Sequence, residues 1–250
     1  NEAGMPESFR WEDYDMAILD PDVHPDLSKV PDGFILIAYV SMGVAVDYRA
    51  TWPKIKGQPW LTKIPGSDEE RYYVDVRDPA WKSLLVKEVI PEILKKGFHG
   101  IFMDTLDVPL HLENTDPDKY RGSKKALGDL IHDIRRAYPD LILVSNNAFE
   151  ILPEIVPDLT AVLAESLYGG LDSDTERMKP VSPERRAKKI ALLNEVKRRR
   201  GLAVFSLDFA PESRSDLAEE YSRSSRRLGF KPYVAGTELD RVYPQTNHEH

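Results

Sequence analysis

The amino-acid sequence predicts an α/β fold, and within this class a (β/α)8 TIM barrel in which residues 1–250 form a single domain. Three observations support this prediction. The chain has 250 residues, which is a usual length for one such barrel. Short apolar runs recur along it, and amphipathic segments with helical spacing separate most of them. An open doubly wound sheet is the alternative, although neither the dinucleotide-binding fingerprint nor a P-loop occurs in the sequence.

Eight apolar runs are the candidate strands. In chain order they are MAILD (16–20), FILIAYVSM (34–42), YYVDV (72–76), GIFMD (100–104), LILVSNN (141–147), TAVLAES (160–166), AVFSLDF (203–209) and PYVA (232–235). Eight runs, most of them followed by a helical segment, fit a parallel barrel better than an open sheet.

Helix signals lie between the later runs. Asp78-Pro79 is an N-cap followed by proline at the first helical position. Apolar residues then repeat at helical spacing as far as Gly97, and Pro91 is expected to kink this helix or to split it. Further helices are predicted around residues 126–134, 182–200 and 217–228. The helix signals in the first two connections are weaker. Residues 21–33 contain three prolines, and residues 49–70 resemble a long loop.

Composition and charge exclude several classes of function. The formal net charge of −8 argues against a nucleic-acid partner, and no apolar run is long enough to span a membrane. The absence of cysteine removes disulfides and thiolate chemistry. No HExxH motif occurs and no histidine falls at a predicted strand end, so a zinc site is not expected. An oxygen-ligated Mg²⁺ or Ca²⁺ held by acidic residues stays open.

Polar side chains fall at the carboxyl ends of most candidate strands. They are Asp20, Asp75, Asp104, Asn146 with Asn147, Glu165 and Asp208, and Tyr39 and Ser41 lie late in the second run. A single acid at such a position is typically a helix cap or a salt-bridged structural residue. Six polar strand ends on one face predict a ligand site instead, because the sites of parallel barrels lie at this face.

Carboxylate catalysis is the chemistry that these residues suit. Glycoside cleavage needs one carboxylic acid to protonate the leaving oxygen and a second carboxylate to attack the anomeric carbon or to activate water. We predict Asp104 and Glu165 as this pair. Glu165 follows the apolar residues AVLA, and burial would raise its pKa toward the value of a general acid. The reverse assignment of the two roles stays open.

Four stretches together resemble a known family. They are IAYVSMG (37–43) with Asp47-Tyr48-Arg49, YYVDVRDPAW (72–81), GFHGIFMDTLD (97–107) and AESLYGG (164–170). In this order, at predicted strand ends, they are similar to the endo-α-1,4-polygalactosaminidases of glycoside hydrolase family 114 and of its relative family 166, the hydrolase domain of Pel polysaccharide machinery. The resemblance covers nearly the whole chain.

The resemblance implies a secreted or envelope-attached (β/α)8 barrel that cuts α-1,4-linked galactosamine or N-acetylgalactosamine polymers of an exopolysaccharide or biofilm matrix. It implies that Asp104 and Glu165 correspond to the family's aspartate and glutamate after the fourth and sixth strands. Tyr39, Asp75 and Asp208 correspond to strand-end positions that line sugar subsites. Where many relatives have Gly-Glu-Ala-Glu, this chain has Gly43-Val44-Ala45-Val46. Two carboxylates that many relatives have are therefore missing in this chain. Their absence bears on which glycan is bound more than on which reaction is performed.

The complete set of predicted site residues follows from these considerations. Asp104 and Glu165 are catalytic, no residue is a metal ligand, and the substrate-binding residues are Asp20, Tyr39, Asp75, Asn146, Tyr168 and Asp208. We expect a monomer that needs no cofactor and whose partner is a polysaccharide. Two alternatives stay open: a non-catalytic barrel that binds a polysaccharide, and a metal-dependent hydrolase with Asp75, Asp104 and Asp208 as ligands.

Overall fold

Strands and helices alternate along the chain in the computed structural model, which describes residues 10–66, 70–171, 177–237, 239, 242–243 and 245. The strands are β1 (Met16–Leu19), β2 (Ile35–Ser41), β3 (Val44–Val46), β4 (Leu61–Lys63), β5 (Arg71–Val74), β6 (Gly100–Asp104), β7 (Ile142–Asn146), β8 (Ala161–Glu165), β9 (Gly169–Leu171), β10 (Met178–Pro180), β11 (Ala203–Phe209) and β12 (Lys231–Ala235). The α-helices are α1 (Trp52–Ile55), α2 (Pro79–Leu84), α3 (Ile90–Lys95), α4 (Asp107–Thr115), α5 (Pro117–Tyr120), α6 (Ser123–Ala137), α7 (Leu152–Ile155), α8 (Pro183–Arg200) and α9 (Ser215–Arg227).

These elements form two compact units. One is Trp11–Leu159, and the other contains the described residues from Thr160 onward together with Arg10. Among the described residues, no helix has both the length and the apolar character that crossing a bilayer requires.

The first unit contains a parallel sheet in the order β1-β2-β6-β7. The apolar runs predicted at these four places are confirmed as strands. Ile37, Ile101, Met103 and Leu143 on these strands are fully buried, so the sheet lies in the core. Tyr39 lies opposite Phe102, and Ser41 lies opposite Asp104. This register brings the carboxyl ends of β2 and β6 level with each other.

The run predicted as the third parallel strand has a different place in the structure. β5 pairs antiparallel with β3 and with β4, in a separate three-stranded sheet. β2 pairs directly with β6, which leaves no position for β5 between them. An apolar run identifies a strand but not its direction, and the short β3, close after β2, offers β5 an antiparallel edge. The segment predicted as a long loop, residues 49–70, contains α1 and β4.

The helix predicted after Asp78-Pro79 is present and is interrupted as expected. Asp78 accepts a 2.8 Å hydrogen bond from the N–H of Ala80 and so caps α2. A π-helical turn, Leu85–Val89, joins α2 to α3, and Pro91 is the second residue of α3. Proline lacks the N–H that an α-helix needs at this point, and a local change of hydrogen-bond pattern lets the helix continue.

The second unit contains a parallel sheet in the order β8-β11-β12 and an antiparallel pair, β9 with β10. Ser182 caps α8, and Gly201 ends it in a left-handed conformation with φ of 66°. The helices predicted at 182–200 and 217–228 correspond to α8 and α9. Glu165 is the last residue of β8, and Leu207 of β11 lies beside it in register.

Candidate active site

Asp104 is held at both oxygens by neutral donors from the two neighbouring strands. The hydroxyl of Tyr39 on β2 donates to Oδ2 at 2.7 Å, and Nδ2 of Asn146 on β7 donates to Oδ1 at 2.8 Å. Burial and the charge of Asp104 raise the pKa of Tyr39 well above its ordinary value, so its hydroxyl stays a proton donor. Asp104 itself is half-buried. Three of the predicted site residues therefore form one hydrogen-bonded cluster.

Asp20 reaches this cluster through an arginine. Nη1 of Arg49 donates to both carboxylate oxygens of Asp20 at 2.6 Å, and the Arg49 guanidinium lies 5.2 Å from the centre of the Tyr39 ring. The backbone N–H of Asp22 also donates to Asp20, at 2.8 Å. Arg49 thus compensates the charge of Asp20, and Asp20 in turn orients Arg49 on the face of Tyr39.

The residue after Asp104 has an unusual backbone conformation. Thr105 has a φ of 56°, in the left-handed region that β-branched residues rarely adopt. Its Oγ1 accepts from the N–H of Gly43 at 2.8 Å and lies 2.9 Å from Oγ of Ser41. A Cβ atom on Gly43 would lie 2.6 Å from the carbonyl oxygen of Thr105. The glycine of the IAYVSMG stretch is therefore required for the close approach of the two turns.

Asp75 lies in a second cluster of the first unit. Nε and Nη2 of Arg77 donate to its two oxygens at 2.7 and 2.6 Å, and the N–H of Arg77 donates at 3.1 Å. Burial opposes ionisation of Asp75, but the hydrogen bonds from Arg77 outweigh it and hold the pKa below its ordinary value. Asp75 is thus an ionised carboxylate whose charge Arg77 compensates.

Glu165 lies at the start of a tightly held turn in the second unit. Nζ of Lys189 on α8 donates to the carbonyl oxygens of Glu165 and Ser166, at 2.8 and 3.0 Å. Ser166 has a φ of 56°, as Thr105 does after Asp104, and its N–H donates to the carbonyl of Leu207 at 2.8 Å. Glu165 is half-buried. Each predicted catalytic acid is therefore the last residue of a strand and precedes a left-handed residue.

Asp208 and Tyr168 are buried beside this turn. Asp208 is 1% exposed, and its Oδ1 accepts from the N–H groups of Tyr168 and Gly169 at 2.5 and 3.0 Å. Burial raises the pKa of Asp208 to about 6, against the opposing effect of these N–H groups. The Tyr168 ring stacks on Tyr221 with ring centres 5.9 Å apart, and the Arg186 guanidinium lies 5.2 Å from the ring centre of Tyr168. These surroundings favour a structural role for Asp208 and Tyr168 over direct contact with a sugar.

The strand face explains why Asp208 is buried. Side chains alternate along a strand, so Asp208 projects to the same side of β11 as Ser206. Oγ of Ser206 lies 2.7 Å from Oγ of Ser225 on α9, which identifies this side as the helix-covered one. Leu207, one residue earlier, is on the same side as Glu165.

Arg49, Thr105 and Lys189 hold these clusters together but were not among the predicted site residues. Arg49 is part of the Asp47-Tyr48-Arg49 stretch, and Thr105 directly follows Asp104, so both lie within stretches that carried the family resemblance. Lys189 belongs to a lysine- and arginine-rich helix, and no local pattern distinguishes it from its neighbours. Its contact with the end of β8 depends on the tertiary fold.

The placement of the acidic and histidine side chains bears on the metal-dependent alternative. Within the part of the chain that the structure describes, no group of three or more histidine, aspartate or glutamate side chains is placed to hold a metal ion. The alternative of a metal-dependent hydrolase therefore has no ligand cluster among these residues.

Sequence comparison identifies a family match and distant relatives. The sequence model of glycoside-hydrolase family GH114 matches residues 14–249. A protein of Deinococcus radiodurans is 23% identical over 243 residues, which cover 92% of this chain and 75% of the relative. A protein of Thermotoga maritima is 25% identical over 229 residues, which cover 84% of this chain and 68% of the relative. Both relatives are described as uncharacterized proteins.

Structural comparison identifies the same fold in two solved structures. The glycoside hydrolase domain of PelA from Pseudomonas aeruginosa has a TM-score of 0.75 and 22% identity, with coverage of 96% of this chain and 97% of that domain. Ega3 of Aspergillus fumigatus, solved in complex with galactosamine, has a TM-score of 0.69 and 13% identity, with coverage of 96% and 90%. The α/β barrel class predicted from the sequence is confirmed by this likeness.

Proposed function

Because this chain belongs to glycoside-hydrolase family GH114, we propose that it is an endo-acting hydrolase of α-1,4-linked galactosamine or N-acetylgalactosamine polymers. The family makes the protein a glycoside hydrolase. One fold relative supports the choice of sugar, since Ega3 was solved with galactosamine bound. We propose Asp104 and Glu165 as the carboxylate pair that performs the cleavage.

The hydrogen bonds of Asp104 are the observation on which the proposal chiefly rests. Both of its oxygens accept hydrogen bonds, from Tyr39 and from Asn146. A carboxylate oriented in this way suits the partner that attacks the anomeric carbon or activates water. Glu165 is then the acid that protonates the leaving oxygen. The Tyr39 and Asn146 donors carry no charge, so neither cancels the negative charge that the proposed role needs at the oxocarbenium-like transition state.

Charge compensation bears on which form of the sugar is accepted. A rim of free carboxylates would attract the ammonium group of galactosamine. Asp20 and Asp75 are both paired with arginines at 2.6 Å, which compensate their charges. We therefore expect these two acids to contribute little to discrimination between galactosamine and N-acetylgalactosamine residues.

The reaction is tested with partially deacetylated galactosaminogalactan as the substrate. Release of reducing ends is measured for the wild type and for Asp104→Asn and Glu165→Gln. The proposal expects release by the wild type and a loss of at least about a thousand-fold in each variant, as removal of a glycosidase carboxylate that acts in the chemistry implies. A second assay of the wild type, after exhaustive chelation, tests the metal-dependent alternative. Activity that survives chelation would exclude it.

A matched control separates the chemistry from a general loss of acid charge. Asp107 is the exposed first residue of α4, three positions after Asp104. Asp107→Asn should keep wild-type activity. Binding of the polymer without release of reducing ends by the wild type would favour the non-catalytic alternative. Full activity in Asp104→Asn would show that the proposed pair is wrong.

The location and the oligomeric state remain expectations. A polysaccharide does not cross a lipid bilayer unaided, so we expect the enzyme to act outside the cell or at the cell envelope. We also expect it to act as a monomer.

A further inference from the structure

The 165–169 turn, which follows β8, is held from two sides by groups of opposite charge. Its first two carbonyl oxygens, of Glu165 and Ser166, accept hydrogen bonds from Nζ of Lys189. Its last two N–H groups, of Tyr168 and Gly169, donate to Oδ1 of Asp208. A cation thus binds the acceptors of the turn and a carboxylate binds its donors, which are the charge-assisted forms of each bond.

The turn needs such support because its backbone is strained. Ser166 has a φ of 56°, which costs free energy in a residue with a side chain. Gly169 has no room for a side chain, since a Cβ atom would lie 2.2 Å from the carbonyl oxygen of Phe209 and 2.5 Å from Cε2 of Tyr221. The turn therefore has one narrow conformation, and the two charged side chains stabilise it.

The surroundings of Lys189 and Asp208 distinguish these two residues from an exposed charged neighbour. Lys189 is half-buried, and its charge is attracted by Asp208 and Glu165 and repelled by Arg185. Asp208 is buried, and the titratable groups near it are Lys189 on α8, Tyr168 in the turn and Tyr221 on α9. The neighbouring Lys188 is different, since it is 76% exposed and pairs with Glu184 on its own helix.

We infer that Lys189 and Asp208 are positioning residues that fix the 165–169 turn and, through it, the carboxyl group of Glu165. This inference rests on the proposed catalytic role of Glu165. Lys189 holds the carbonyl of the residue that carries the acid, and Asp208 holds the other end of the same turn. Neither residue needs to touch the substrate for this role.

Two measurements on Lys189→Met test the inference, because this change keeps the aliphatic stem and removes the donors. Hydrogen exchange at the amides of Tyr168 and Gly169 should become about ten-fold faster, since the turn loses the two charge-assisted bonds from Lys189 and keeps only those to Asp208. On the galactosamine polymer, kcat should fall about ten- to hundred-fold, while KM changes by less than about two-fold, as displacement of a catalytic group implies. The matched control Lys188→Met should leave both quantities unchanged.

The outcomes separate this inference from the proposed function. Unchanged exchange at Tyr168 and Gly169, or unchanged kcat with faster exchange, overturns the positioning role. If the wild type cleaves no amino-sugar polymer, the proposed function fails, and the exchange experiment alone decides whether Lys189 fixes the turn. If Lys189→Met does not fold, Lys189→Gln is measured in the same two ways, because its amide is one atom shorter and cannot reach both carbonyl oxygens.

Discussion

The hydroxyl of Tyr39 donates a 2.7 Å hydrogen bond to Oδ2 of Asp104. Tyr39 lies two residues before the end of β2, opposite Phe102, so its ring projects along the sheet toward the end of β6. The Arg49 guanidinium lies over the ring, 5.2 Å from its centre. The tyrosine therefore reaches the acid from within a packed strand rather than from a loop, which fixes its orientation.

Tyr39→Phe should lower kcat by about ten- to hundred-fold, because Asp104 loses one of its two orienting donors, a bond to a charged acceptor worth about 1.5–3 kcal/mol. The phenylalanine ring keeps the contacts with Phe102 and Arg49, so the melting temperature should change little. Tyr48→Phe is the matched control, since Tyr48 also contacts Arg49, at 5.3 Å, but is 63% exposed. Equal losses of activity in both variants would contradict the role of the Tyr39 hydroxyl.

Asn146→Asp should move the acid limb of the pH profile of kcat/KM to higher pH by about one unit or more, because two carboxylates at hydrogen-bond distance resist ionising together. The 2.8 Å bond from Asn146 to Asp104 places the new charge directly beside the carboxylate of Asp104. The profile is measured from initial rates between pH 4 and 9. Asn147→Asp adds the same charge one position later and should shift the limb less. A wild-type profile in Asn146→Asp would show that Asp104 does not determine the acid limb.

Thr105→Val should lower the free energy of unfolding by about 1–3 kcal/mol, because the buried N–H of Gly43 loses its acceptor. Thr105→Ser keeps the hydroxyl and should stay within about 1 kcal/mol of the wild type. Both values are measured by chemical denaturation. If the valine and serine variants prove equally stable, the hydroxyl does not support the turn after Asp104.

Asp208 should make the folded protein less stable as the pH rises from about 4 to about 6. Burial raises its pKa to about 6 from an ordinary value of 3.8, so the folded state binds the proton more tightly than the unfolded state does. This contribution is fully present below the unfolded pKa and is lost above the folded one, and it amounts to at most about 3 kcal/mol.

The difference in unfolding free energy between the wild type and Asp208→Asn isolates this effect, because the contributions of the other groups cancel. Lys189, Tyr168 and Tyr221 face the carboxyl group and are unchanged in the variant. We expect the difference to become less favourable to the wild type between pH 4 and pH 7. A difference that grows in favour of the wild type over this range would mean that Lys189 and the N–H groups of Leu167, Tyr168 and Gly169 outweigh burial.

Much of the candidate site could be predicted from the sequence because it depends on local patterns. The predicted run GIFMD (100–104) coincides with β6 and ends at Asp104. The predicted run TAVLAES (160–166) contains β8, whose last residue is Glu165, and extends one residue beyond it at each end. An apolar run that ends in an acid predicts both the strand and its last residue. The fold class follows from the alternation of such runs with helices.

Other features could not be predicted because they depend on direction, strand face or distant contacts. The pattern of β5 predicts a strand, but only the pairing of β2 with β6 excludes it from the parallel sheet. Asp104 is the last residue of β6, whereas Asp208 is the penultimate residue of β11 and lies with Ser206 on the helix-covered face. The arginine partner of Asp20 compensates a charge that the sequence presents as free, because Arg49 lies 29 residues further along the chain.

The left-handed residues Thr105 and Ser166 have a consequence for how this chain can vary during evolution. Each one directly follows an acid that is the last residue of a strand. Because side chains alternate along a strand, adding or deleting a single residue within that strand would turn the acid to the opposite face. Homologues that keep the activity should therefore tolerate insertions beyond these two positions but preserve the length of β6 and of β8. Aligned gaps within either strand should mark members of the family that have lost hydrolysis.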